Sequence, residues 1–158
     1  MAIKALELDE AAHGLRPKLH LLQVESKGEI LADKIVVLGA RDYLESRDLW
    51  DIHMLTQNGV VLNTDFVRSK VNDYHLDYAK FLQQLRQRTT RLSQPIMVSA
   101  FRKELSWFLD VQLQVFVHDP EVVRRILGVV IGVAKGSLDQ LTLDHSLPPE
   151  EPRICFDI

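Results

Sequence analysis

The sequence is poor in the residues that mark several classes of protein. A single cysteine, Cys155, cannot close an intramolecular disulfide, and the six histidines have no spacing typical of a zinc site. The net charge of -3 gives the chain no overall attraction to polyanions. The longest apolar run, Ile126 to Ala134, is too short to span a bilayer. These absences predict a soluble cytoplasmic protein without membrane association, in which any nucleic-acid contact uses a local patch.

The apolar periodicity predicts a mainly α fold, or α+β if a short N-terminal sheet portion is counted. A length of 158 residues with 46% hydrophobic residues is enough for one domain with a core. We expect a helical bundle over residues 28–141 and a two-strand portion within residues 1–25, with strands at Ala2–Leu8 and Leu19–Glu25. Three prolines and several acids after Leu141 predict an extended tail over residues 142–158. The predicted helices are Gly28–Leu44, Arg47–Gln57, Thr64–Val71, Tyr74–Arg91, Pro95–Leu109 and Pro120–Lys135.

Two of these helix ends carry capping signals. Asp119 precedes Pro120, and this pair is typical of a helix start because the Asp side chain accepts from free amides and proline fits the first turn. The Asn58–Gly59 pair is expected to end the second helix.

Lys34 lies inside the apolar arc of the first predicted helix. At about 100° per residue, it falls among Ile30, Leu31 and Leu38, where a solvated lysine is not expected. Its stem therefore extends to the rim of the arc, or its ammonium faces a partner anion. Arg41 shares this sector, and two cations one above the other favour an anion such as phosphate or carboxylate.

Asp48 and Asp51 project from one face of the second predicted helix, because they are three residues apart. A structural explanation is available, since Ser46 can cap this helix and acids in a first turn are favoured by the helix dipole. Asp48 fits that explanation better than Asp51, which begins the second turn. The sequence alone leaves both a solvated face and a functional site open.

The run Glu29-Ile-Leu-Ala-Asp-Lys34, followed by an arginine and then by Arg47-Asp48-Leu-Trp-Asp51, resembles the two later motifs of the AbiEii nucleotidyltransferase toxins. The resemblance implies that Lys34 contacts the nucleotide triphosphate, with Arg47 and Glu29 supporting the nucleotide-binding residues. It implies that Asp48 is a catalytic acid, as base or orienter of the attacking hydroxyl, and that Asp51 supports Asp48.

The same resemblance implies a cytoplasmic bacterial toxin paired with an antitoxin. Such a toxin transfers a nucleoside monophosphate from a nucleoside triphosphate (NTP), with Mg²⁺, to an RNA such as the acceptor end of tRNA. The family's earlier Gly-Ser and Asp-x-Asp motifs, which hold the metal, are not found, and the lone Gly136-Ser137 is not followed by such a pair. The chain is therefore expected to correspond to the C-terminal half of such a toxin, as a fragment, a split subunit or a decayed copy. Alone it is expected to be inactive or weakly active.

Two other functions remain open from the residues. Arg47 and His53 fit the loose Arg-x(4 to 6)-His pattern of HEPN ribonucleases, although about 120° separates them on the helix. Alternatively, the chain is a non-catalytic subunit that binds a partner or RNA through Arg86, Arg88 and Arg91, which are expected on or near one side of a helix.

Oligomerisation and core packing complete the predictions. Gly128, Gly132 and Gly136 allow close approach of another helix, within the bundle or across a homo-oligomer interface. Trp50 and Trp107 are expected in the core.

Overall fold

The computed structural model describes residues 24–146. Residues 1–23, which contain the predicted strand Ala2–Leu8 and most of Leu19–Glu25, lie outside this range, as does the tail after residue 146. Within residues 24–146 the fold has seven helices and no strand. The helices are α1 (Lys27–Ala40), α2 (Ser46–Gln57), α3 (Thr64–Asp73), α4 (Tyr78–Leu92), α5 (Pro95–Phe108), α6 (Val111–Val117) and α7 (Pro120–Ser146). The mainly helical fold is confirmed.

Several helix ends follow directly from the sequence. Asp119 accepts from the amide of Glu121 at the start of α7, as predicted. Gly59, which follows the end of α2, has a φ of 79°, in the left-handed region that glycine enters without steric cost. Ser46 was expected to cap α2, but it is the first helical residue, and the capping position belongs to Glu45, which makes no side-chain cap.

Two predicted helix boundaries were wrong by several residues. α1 ends at Ala40 instead of Leu44, because Arg41 has extended backbone angles. α4 begins at Tyr78 instead of Tyr74, because His75 has a φ of 54° and Asp77 caps the new helix by accepting from the amide of Lys80.

The C-terminal third holds one more helix than predicted. α6 is short, and its sequence VQLQVFV alternates in a way that does not indicate a helix. Asp110 starts it by accepting from the amide of Gln112. α7 continues to Ser146 instead of ending at Lys135, so residues 142–146 of the predicted tail are helical. Buried Leu138 and Leu141 keep this extension against the bundle.

α1 and α7 are the two helices on which the others pack. α1 contacts α2, α3 and α4, whereas α7 contacts every helix from α2 to α6. Leu31 and Ile35 of α1 are fully buried, as are Val130 and Leu141 of α7. Burying each such side chain contributes about 1.5–3 kcal/mol. Both of these helices contact α2, the helix that carries Asp48 and Asp51, so the core holds α2 in place.

Gly39 sets the distance between α1 and α4. A Cβ atom at this position would lie 2.4 Å from Cε2 of Phe81 and 3.3 Å from Cβ of Leu85. α4 thus approaches the backbone of α1 more closely than any side chain would allow.

Trp107 was expected in the core but is 81% exposed, whereas Trp50 is packed against the core. α7 is long and apolar enough from Pro120 to Asp144 to cross a membrane by length and composition, but 39% of its most apolar window is buried inside the bundle. A single helix of this kind is weak evidence for a membrane span, because core helices of soluble proteins reach the same length and apolarity.

Candidate functional site

Lys34, Asp48 and Asp51 come together between α1 and α2. Nζ of Lys34 lies 2.6 Å from Oδ1 of Asp48 and 2.8 Å from Oδ2 of Asp51. The side chain of Lys34 is 22% exposed, that of Asp48 12% and that of Asp51 38%. The partner anion expected for Lys34 is therefore a pair of carboxylates from α2. Lys34, Asp48 and Asp51 form a cluster that is open to solvent on the side of Asp51.

The sequence explains why these three side chains meet. Leu31, Ile35 and Leu38 bury one face of α1, and Lys34 lies at the edge of that face. Buried Leu49 and Ile52 form the inward face of α2, and Asp48 and Asp51 lie beside that face, at the edge shared with α1.

The electrostatics of the cluster favour the charged ammonium. Burial is the largest single contribution and lowers the pKa of Lys34. The hydrogen bonds and charges of Asp48 and Asp51 together raise it by more, so that the pKa lies above the ordinary value of 10.5. Lys34 is therefore a fixed positive charge at neutral pH.

Arg41 and Glu45 extend the cluster at the end of α1. Nη1 of Arg41 lies 3.2 Å from Oδ2 of Asp48 and 3.3 Å from Oε1 of Glu45. Both oxygens of Asp48 consequently contact a cation. Two cations and three carboxylates give these five side chains one excess negative charge.

Glu29 and Arg47, the two predicted supporting residues, are not joined to this cluster. Oε2 of Glu29 accepts from the amide of Ser26 at 2.7 Å, and the Ser26 hydroxyl accepts from the amide of Glu29. This capping box starts α1 and lowers the pKa of Glu29 through the backbone hydrogen bond. Arg47 is exposed, and within residues 24–146 no hydrogen bond or ion pair connects its side chain to the cluster.

The three predicted RNA-binding arginines of α4 do not share one side. Arg86 and Arg91 are exposed, whereas Arg88 is 9% exposed and donates from Nη1 to the carbonyl of Leu38 at 2.9 Å. Arg86 and Arg88 are two residues apart and so differ by about 200° around the helix. The predicted common surface was wrong, and Arg88 satisfies a carbonyl near the C-terminal end of α1.

His53 and Arg47 do not form a ribonuclease pair in the described part of the chain. His53 is half-buried beside Trp50, with 5.7 Å between the ring centroids, and its Nδ1 is buried without a hydrogen-bond partner among those residues. Burial lowers the pKa of His53. Arg47 is exposed and makes no hydrogen bond or ion pair with it.

The carboxylates of the cluster do not fit a divalent metal ion. No group of three or more His, Cys, Asp or Glu side chains arranged to hold a metal occurs in residues 24–146. Asp48 and Asp51 instead share an ammonium, whose charge would repel a cation between them.

Sequence reasoning placed Arg41 in the sector of Lys34 but missed Glu45. Glu45 lies four residues after Arg41, and this spacing was a signal that the two side chains could form an ion pair. That the pair lies next to α2 depends on the end of α1 at Ala40, which was predicted wrongly.

Comparison with known proteins adds one finding to this geometry. The family model described as nucleotidyl transferase AbiEii toxin, type IV TA system, matches residues 6–119, which include α1, α2 and the whole cluster. No curated protein and no solved structure matches the chain. The chain belongs to the AbiEii nucleotidyl transferase toxin family of type IV toxin–antitoxin systems.

Proposed function

We propose that this chain binds an NTP through Lys34 and serves the transfer of its nucleoside monophosphate to an RNA such as the acceptor end of tRNA. Family membership supports a nucleotidyltransferase-like toxin. The observation that carries the nucleotide site is the ammonium of Lys34, held at a solvent-facing rim by two carboxylates.

The third donor of Lys34 is the group that we assign to the nucleotide. An ammonium has three N–H donors, and Asp48 and Asp51 take two of them. Asp51 is the more exposed of the two carboxylates, so we assign the third donor to the solvent-facing side of the cluster. A phosphate oxygen placed there receives a charge-assisted hydrogen bond from a donor that is already fixed in position.

Arg41 supplies further donors at the same rim. A guanidinium has five donors, and the contacts of Arg41 with Asp48 and Glu45 both use Nη1. Its side chain is 43% exposed, so the remaining donors can reach a second phosphate oxygen. Because the five side chains of the cluster carry one excess negative charge, Lys34 and Arg41 contribute positioned donors instead of net positive charge.

The two aspartates differ in what they can do. Both oxygens of Asp48 accept from cations, so we assign Asp48 the positioning of Lys34 and Arg41. Asp51 uses only Oδ2 for Lys34 and is 38% exposed, so its Oδ1 can accept from a hydroxyl of the substrate. In this role Asp51 orients the acceptor.

The rest of the reaction depends on groups outside the described residues. Mg²⁺ supplies charge neutralisation in reactions of this class, but Asp48 and Asp51 do not fit it, so we assign no metal ligand here. A cognate antitoxin is the partner that the family implies, and we expect both proteins in the cytoplasm.

Calorimetric titration of the chain with each of the four NTPs, with and without Mg²⁺, tests the proposal. The decisive variant is Lys34→Met, which keeps an unbranched stem of nearly the same length and removes the ammonium. Lys70→Met is the matched control, because Lys70 is also half-buried beside carboxylates, 2.9 Å from Glu25 and 3.7 Å from Asp33. We expect wild type and Lys70→Met to bind an NTP and Lys34→Met to lose at least about tenfold in affinity, as expected for one charged hydrogen bond.

Equal weakening in both variants would mean that any partly buried lysine gives this effect, and it would overturn the assignment of Lys34. Circular dichroism of each variant shows whether the bundle is intact.

A non-catalytic role is the second candidate, and one observation favours it. Asp48 is fully satisfied within the cluster, and the ammonium already has two anionic partners, so the cluster can act as a clamp that joins α1 to α2. Absence of NTP binding by the wild type, together with destabilisation of Lys34→Met, would support this clamp and contradict the nucleotide site.

A further inference from the structure

A second polar site lies far along the chain from the cluster, between α5 and the turn that joins α6 to α7. A cavity of about 310 Å³ opens there. Its lining includes two cationic side chains, two hydroxyls and an imidazole, and consists of Ser99, Arg102, Lys103, Ser106, Val117 and His118. No carboxylate lines it.

The lining side chains of α5 form one outward stripe. Ser99, Arg102, Lys103 and Ser106 follow the spacing of three, four and seven residues that places side chains on a single helix face. Buried Phe101 and Leu105 attach the opposite face to the core. The hydroxyl of Ser106 already donates to the carbonyl of Lys103, so the donors suited to a phosphate group are the hydroxyl of Ser99 and the two cations.

The two cations are not neutralised by the fold. The guanidinium of Arg102 has a single long contact, 3.4 Å to the carbonyl of His118, and in residues 24–146 Lys103 has no ion pair. Glu104 follows Lys103 but points about 100° away around the helix.

The nearby acids of the loops are occupied elsewhere. Asp110 accepts from the amide of Gln112, Asp119 accepts from the amide of Glu121, and Glu121 is paired with Arg124. These acids keep their charge, but none of them lines the cavity or pairs with Arg102 or Lys103, so the lining itself carries two positive charges.

Trp107 follows the cavity-lining residues along α5 and is 81% exposed. It lies one turn after Lys103 and next to Ser106 in the chain, about 6 Å along the helix axis from Lys103. Leaving an indole in water forgoes the gain from burying one of the largest apolar side chains. An exposed aromatic ring next to unpaired cations is the arrangement that single-stranded nucleic acids use, with phosphates on the cations and a base stacked on the ring.

We propose that this surface of α5 binds single-stranded RNA, with a backbone phosphate in the cavity at Arg102 and Lys103 and a base stacked on Trp107. The inference is separate from the nucleotide site, because it involves other helices and requires neither an NTP nor Mg²⁺. This surface of α5 takes the place of the RNA-binding surface that was predicted on α4, because burial of Arg88 breaks up that basic surface.

Tryptophan fluorescence gives a direct readout of stacking. The chain has two tryptophans, so Trp50→Phe leaves Trp107 as the single emitter. We expect an oligouridine of about ten nucleotides, within the site sizes of single-strand-binding folds, to quench this emission with saturation. Anisotropy of a labelled oligouridine then measures the affinity of variants in which Trp107 itself is replaced.

The variants separate phosphate binding from stacking. We expect Trp107→Ala to weaken binding by about tenfold or more, as for the removal of one stacked base. Arg102→Ala with Lys103→Ala should weaken binding and lower the slope of log affinity against log salt by about 0.7 for each phosphate that the protein no longer neutralises. Arg86→Ala with Arg91→Ala is the matched control, since these arginines are exposed on α4, and we expect unchanged binding.

Three results would overturn the proposal. The first is that the oligouridine does not quench the emission of Trp107 at low salt. The second is that Arg86→Ala with Arg91→Ala weakens binding as much as the α5 variants do. The third is that inorganic phosphate or uridine monophosphate binds with the same affinity as the oligouridine. The last result would mean a small-anion pocket instead of an RNA surface. Except for Trp50→Phe, which replaces a partly buried ring by a smaller one, these variants change exposed side chains, and far-UV circular dichroism of every variant should show an unchanged fold.

Discussion

The ammonium of Lys34 lies between the carboxylates of Asp48 and Asp51, at 2.6 Å and 2.8 Å, and so connects α1 to two successive turns of α2. Asp48 and Asp51, which the sequence predicts on one face of α2, are therefore the partners of Lys34, which it predicts inside the apolar arc of α1. A clamp of this kind has consequences for stability that are independent of any ligand.

Replacing Lys34 by methionine should destabilise the fold by about 2–3 kcal/mol, mainly because the largely buried Asp48 loses a charged partner, while the more exposed Asp51 can be solvated by water. The pKa of Lys34 is raised in the folded state above its ordinary value of 10.5, so its stabilising contribution is complete below that pH and is lost as the pH rises through the folded pKa. Urea unfolding at pH 7 and above pH 10.5 measures the difference between wild type and variant. A difference that does not shrink at alkaline pH would contradict the charged clamp.

Gly39→Ala should lower the free energy of unfolding by about 1–3 kcal/mol, since its Cβ would lie 2.4 Å from the ring of Phe81 and α4 would have to move. Gly28→Ala is the control in the same helix. Its Cβ would lie 3.6 Å from Phe66, an ordinary contact, and alanine is the better helix former by about 1 kcal/mol. Thermal unfolding should give opposite signs for the two variants, and equal effects would exclude the close approach of α1 and α4.

His53 should make the fold sensitive to acid. Burial lowers its pKa in the folded state, so below the ordinary value of 6.5 the unfolded chain takes up a proton first, and stability falls until the folded pKa is passed. His53→Leu removes this sensitivity and also removes a buried nitrogen without a partner, which should be neutral or stabilising by about 1 kcal/mol at pH 7. Unfolding curves at pH 7 and pH 5 compare the variant with His118→Gln, which replaces an exposed histidine. The same acid sensitivity in His53→Leu and wild type would disprove the role of His53.

Arg88→Met should destabilise the bundle by about 1.5–3 kcal/mol, because the carbonyl of Leu38 loses a charged donor inside the protein. Arg86→Met, on the exposed side of α4, should change stability by less than about 0.5 kcal/mol. The denaturant midpoints of the two variants show whether Arg88 stabilises the bundle or only lies on the surface, where the sequence predicted that it binds RNA. Equal midpoints would favour the surface role.

Most helices could be predicted from the sequence because strong local signals mark them. Apolar periodicity located six of the seven, and Asp119 and Gly59 marked their ends through local hydrogen bonding and backbone conformation. α6 was missed because seven residues with alternating apolar positions carry almost no helical periodicity. The extension of α7 was missed because Gly136 interrupts its pattern, although Leu138 and Leu141 continue the core face.

The site was predictable only in part, since a single helix can be examined on a wheel but a contact between two helices cannot. The positions of Lys34 and Asp51 on their own helices indicated an unusual charge on each. That the two charges neutralise each other depends on how α1 and α2 pack, which neither segment encodes alone. Trp107 was predicted in the core because it is apolar, and this prediction was wrong. Its neighbours Arg102 and Lys103 are exposed and keep that face of α5 in solvent.

The most direct test of the nucleotide site is nitrogen-detected NMR of the lysine ammonium groups during titration with ATP. Lys34 can be assigned by the disappearance of its signal in Lys34→Met, and Lys70 by the same comparison in Lys70→Met. We expect the Nζ resonance of Lys34 to shift with saturation, as its third donor meets a phosphate oxygen, while that of Lys70 stays unchanged. A resonance of Lys34 that does not respond to ATP, or that moves only together with Lys70, would contradict the assignment of this lysine to the nucleotide.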